Sequence, residues 1–84
     1  MTDVGDRLRA AILTMTDERA PRTICPSDAA RAVDPERWRE LMEVTRDLAR
    51  ELAKNGDVVI TQQGKVLDPD AQWRGPIRIR RAGT

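Results

Sequence analysis

Eighty-four residues, 39% hydrophobic and 35% charged, fit one domain at most, with a small core inside a dense ionic shell. Fifteen basic against fourteen acidic residues leave a net charge of +1, short of the clear basic excess of most nucleic-acid-binding domains. Trp38 and Trp73 are the only aromatics and histidine is absent, which excludes an aromatic core and removes the commonest metal ligand and general base.

In chain order, Val4, Leu8, Ala11, Ile12 and Met15 recur at helical spacing, with Asp3 or Asp6 placed to favour the positive end of a helix. Ala20-Pro21 breaks that pattern, and Arg22–Cys25 is long enough for one small strand. Pro26 suits the first position of a second helix, where its missing N–H costs nothing, and Asp28 can reach back to an unpaired N–H. Ala29, Ala30 and Val33 then face inward. Asp34-Pro35 repeats the device and opens the strongest helix, expected from Pro35 to about Asn55. On it Trp38, Leu41, Met42, Leu48, Ala49, Leu52 and Ala53 share one face, completed by Thr45. Asn55-Gly56 suits its C-terminal cap.

Past Gly56 the period changes. Residues 57–62, DVVITQ, are β-branched and short, and Gly64-Lys65 marks a turn. Val66-Leu67 is a brief apolar return, Asp68-Pro69-Asp70 a second turn, and Pro76–Arg80 alternates apolar with basic, as a strand with one buried face does. The order is helix, short strand, helix, helix, strand, loop, strand. This predicts an α+β winged helix-turn-helix: three helices, a C-terminal β-hairpin wing and a short first strand. One domain spans 1–84, with 1–3 and 82–84 frayed. A three-helix bundle with a disordered tail ranks lower, because VVI and PIRIR have nowhere else to bury their apolar sides.

The blocks TICPSDAARAV, WRELM, VVITQQGKVLDP and RGPIRIRR resemble the bacterial family named Domain of Unknown Function 3253, from about Ile12 to Arg81. The resemblance implies a winged-helix-like fold and supplies no catalytic residue. Some members of that family are joined to a cysteine-rich, zinc-ribbon-like segment, which this sequence does not contain.

Cys25 has no histidine to act as base and no second cysteine to complete a metal site or a disulfide. It reads as a small residue at a strand-to-helix corner. No carboxylate sits alone in an apolar run, and no glycine cluster has phosphate-loop spacing. No enzyme, cofactor or metal is therefore expected. The lone cysteine and the lack of a signal-like segment suggest the cytoplasm, and no apolar run nears the ~20 residues that span a bilayer.

Positive charge offers the remaining lead. Arg39, Arg46 and Arg50 lie about 80–120° round the long helix from Trp38, with Lys54 a little beyond, and Glu40, Asp47 and Glu51 lie further round. The plainer reading is a solvated face laced by pairs such as Arg39–Glu43 and Asp47–Arg50. From Asp57 to Thr84, five basic residues oppose three acidic ones, with Gln62, Gln63 and Lys65 at the hairpin, Trp73 beside Arg74, and Arg78 and Arg80 on one strand face. The expected function is weak, non-specific nucleic-acid binding by Arg39, Arg46, Arg50, Gln63, Lys65, Arg74, Arg78 and Arg80, converging on one cationic patch. The alternative is a protein-protein or self-association module anchored by Trp38 or Trp73, without a membrane or nucleic-acid role.

Overall fold

Asp3 starts the first helix, α1 (Val4–Arg19): its carboxylate accepts the Asp6 N–H at 2.8 Å. The computed structural model describes residues 3–83. The helix ends at the expected break, with Ala20 as its C-cap before Pro21, and its last turn buries Thr16. Burial of that hydroxyl is tolerated because Thr16 Oγ1 donates to the Ile12 carbonyl at 2.7 Å.

The expected strand at Arg22–Cys25 is reduced to one bridge, in which Ile24 and Ile79 exchange both backbone hydrogen bonds at 2.7 and 2.8 Å. Pro26 has no N–H to extend the ladder, and Arg22 N–H turns back to the Arg19 carbonyl at 2.8 Å. Helix α2 (Pro26–Val33) follows, with Asp28 accepting the Cys25 N–H at 2.8 Å as expected. Cys25 stands at the corner between that bridge and α2.

The single helix expected from Pro35 is divided. Asp34 Oδ1 accepts the N–H groups of Glu36 and Arg37, both at 3.1 Å, and holds a turn rather than a helix start. A 3-10 turn, Trp38–Leu41, leads into helix α3 (Met42–Lys54). Over one turn the spacing of Trp38, Leu41 and Met42 suits either helix type, so the pattern alone does not separate them. The C-terminal cap falls at Asn55, and Gly56 takes the left-handed φ of +86° that ends the helix.

Strand β1 (Val58–Gln62) is the centre of a three-stranded antiparallel sheet, order β2-β1-β3, where β2 is Lys65–Val66 and β3 is Arg78–Arg81. A two-residue turn, Gln63 (φ +51°) and Gly64 (φ +81°), joins β1 to β2 and sets Thr61 opposite Val66. The chain then passes the end of β1 to reach its other edge, where Ile79 lies opposite Ile60.

Helix α1 packs on β3 and α3 on β1, while α2 packs against α1 and α3. Leu8, Ile12, Ile24, Ala29, Ala30, Leu48, Ala49, Leu52, Val58, Ile60, Ile77 and Ile79 form one core, wholly aliphatic as the composition requires. The architecture is α+β, three helices with a three-stranded antiparallel sheet, and is compatible with a winged-helix-like arrangement. Of the ends expected to fray, Asp3 caps α1 and the Ala82 N–H binds the Asp57 carbonyl at 3.1 Å; residues 1, 2 and 84 lie outside the described ones. Among the described residues, no helix is long and apolar enough to cross a membrane.

Candidate nucleic-acid interface

The basic residues singled out in the sequence fall into three groups. The first is the flank of α3. Arg46, Arg50 and Lys54 follow one another at intervals of four residues, so they rise in line along the helix. Each turns to the segment 67–76. Arg46 donates to the carbonyls of Gly75 (3.1 Å) and Trp73 (3.5 Å). Arg50 donates to the carbonyls of Ala71 (2.7 Å) and Pro69, and its guanidinium lies 4.1 Å over the Trp73 ring. Lys54 pairs with Asp70 at 2.9 Å.

Segment 67–76 is thus a strap along the basic flank. Its own fold presents the acceptors: Asp68 takes the Asp70 N–H on its carboxylate at 2.8 Å, and its carbonyl takes Trp73 Nε1 at 3.0 Å. Leu67 and Trp73, both half-buried, rest against the core. At the far end Gln62 Nε2 holds the carbonyls of Arg74 and Pro76, and Ile77 re-enters the interior at 1% exposure.

The second group is the hairpin tip. Gln63, Lys65 and Arg74 are all exposed, and the Gln62 bond to the Arg74 carbonyl ties the strap's end to the turn that carries Gln63 and Lys65. Gln63 keeps a left-handed φ that glutamine seldom adopts, as the two-residue turn demands.

The third group lies on the opposite side of the sheet. Because Ile77 and Ile79 are buried, alternation sends Arg78 and Arg80 to the face without helices, beside Thr61 and Val59 on β1. Arg78 is committed to the strand-helix corner, donating from Nε to Thr23 Oγ1 at 2.8 Å and from Nη1 to Cys25 Sγ. The expected single patch is therefore divided: the α3 flank and the Arg78/Arg80 face look away from each other, with the sheet between them.

Arg39 stands apart from all three. It lies 4.5 Å over the Trp38 ring, which Arg31 of α2 also covers at 4.2 Å. The expected pairs Arg39–Glu43 and Asp47–Arg50 give way to others, Arg37–Glu40 and Arg9–Glu51, both at 3.6 Å. The roles of Lys54, Asp70 and Arg31 were not read from the sequence. The four-residue rhythm of Arg46, Arg50 and Lys54, set against the two aspartates of the strap, is the signal that carries the first two.

The chain matches the family described as "Protein of unknown function (DUF3253)" over residues 5–82. It belongs to that family. The match covers nearly the whole domain, from the first turn of α1 to the residue after β3, so the strap and the hairpin tip both lie inside the family's extent. No curated protein matches this DUF3253 domain.

Proposed function

We propose that this DUF3253 domain is a non-catalytic winged-helix module that contacts nucleic acid weakly and without sequence preference, leading with its hairpin tip. One observation supports the reading: Gln63, Lys65 and Arg74 are all exposed, and the Gln62 side chain ties the Arg74 carbonyl to the β1–β2 hairpin that carries the other two, as a wing would need. Helix α3 is unsuited to lead. Its solvent side carries the exposed carboxylates of Glu43, Asp47 and Glu51, which phosphates would repel, and its basic flank lies under the strap. Cytoplasmic residence fits a chain with one free cysteine.

Titration of a short random-sequence duplex at low salt tests this reading. Two phosphate contacts predict a log–log salt slope of about −2, and Lys65→Ala or Arg74→Ala should each flatten it by about one. Absence of binding at low salt, or a slope indifferent to both substitutions, overturns the proposal.

A second reading, a protein-interaction module, has its own support. Trp38 and its two covering arginines form a half-exposed cluster of the residue types that dominate interface hot spots. Light scattering at high concentration and pull-down with Trp38→Ala as control address it. A strict monomer with no captured partner lost on that substitution removes it.

A further inference from the structure

The strap offers α3 the same chemistry that a nucleic-acid backbone would offer. Along one helix flank, Arg46, Arg50 and Lys54 meet carbonyl oxygens of residues 69, 71, 73 and 75 and the Asp70 carboxylate. Phosphodiester oxygens are anionic acceptors for the same cations and make stronger hydrogen bonds than neutral carbonyls. The ties between the strap and α3 are nonetheless all polar and at most part-buried, Asp70 keeps 74% of its side chain exposed, and Gly75 at φ +79° supplies a bend at one end of the strap. Its main apolar anchor between Leu67 and Ile77 is the half-buried Trp73.

We infer that the strap is an autoinhibitory mimic of a nucleic-acid backbone, and that its release exposes a second phosphate-binding row made of Arg46, Arg50 and Lys54. The inference rests on the nucleic-acid reading given above. In the closed state only the hairpin tip engages the duplex. In the open state phosphates replace the strap's carbonyl and carboxylate oxygens on α3, and Asp70 moves away from the row.

The test compares the full chain with Trp73→Ala, with Asp70→Ala, and with Trp73→Ala/Arg50→Ala, by duplex titration between about 50 and 200 mM salt. Three added phosphate contacts predict that Trp73→Ala steepens the slope from about −2 to about −5, and that the added Arg50→Ala returns about one unit. Asp70→Ala, an exposed change that leaves the fold intact, should steepen the slope by about one through Lys54 alone. In the unmodified chain, saturating duplex should speed amide exchange at Ala71–Arg74. Binding by the unmodified chain with equal slopes for Trp73→Ala and Asp70→Ala, and unchanged exchange, overturns the strap's role while leaving the hairpin-tip reading in place. Silence of the unmodified chain with binding by Trp73→Ala supports the strap. Silence of every variant overturns the nucleic-acid reading itself.

Discussion

The α3 flank and the hairpin tip are both short stretches of cationic side chains on the surface, yet they are built for different ends. On the flank, Arg46 and Arg50 make four hydrogen bonds to backbone carbonyls, and Lys54 meets a carboxylate. At the tip, Lys65 follows the two-residue turn of Gln63 and Gly64, and Arg74 lies at the end of the strap, where its carbonyl accepts from Gln62 Nε2; both are placed by backbone geometry rather than by their own charges. The flank's cations tie the strap to α3. The tip's cations are carried by a fold already made. A count of charges treats both alike; the position of backbone acceptors separates them.

The contrast is broken most severely at the strap's buried end. Ile77→Ala should cost about 2–5 kcal/mol, lowering the urea midpoint steeply, because Ile77 anchors both the strap and the start of β3 in the core. Trp73→Ala should cost about 2 kcal/mol and raise amide exchange between Asp68 and Gly75, since it removes half-buried area together with the Arg50 stack. Arg50→Lys keeps the charge and loses the flat guanidinium that stacks on Trp73 and brings its Nη1 to both the Pro69 and Ala71 carbonyls. Its expected cost is about 1 kcal/mol by urea unfolding. Asp70→Asn, at an exposed pair, should cost at most ~1 kcal/mol and vanish at high salt. Lys65→Ala should leave the midpoint where it was. A tip substitution as destabilising as Arg50→Lys would erase the distinction between the two regions.

Much of the fold was legible because it depends on local signals. Asp3 before Val4, Pro26 with Asp28, and Asn55 before Gly56 mark helix ends through backbone hydrogen bonds that any tertiary context must satisfy. The alternation of Ile77, Arg78, Ile79 and Arg80 likewise fixed which side of β3 is buried. The 3-10 turn at Trp38–Leu41 was not legible, because Asp34 engages the N–H groups of both Glu36 and Arg37 and so makes a turn from residues that equally suit a cap. The strap was missed for a different reason. Its acceptors are main-chain carbonyls, which every residue possesses, so nothing in the side-chain pattern of 67–76 announces them. The division of the arginines by the sheet was available from alternation, but only once β1 was known to lie between β2 and β3.

The fully buried centre contains neither indole; both are half-buried at its edge, each with a guanidinium stacked on its ring. Intrinsic emission from this molecule therefore reports on two clasps at the rim of the core, one at the α2–α3 junction and one on the strap. Single-tryptophan variants would turn that into an asset, giving each clasp its own optical signal while circular dichroism follows the helices independently.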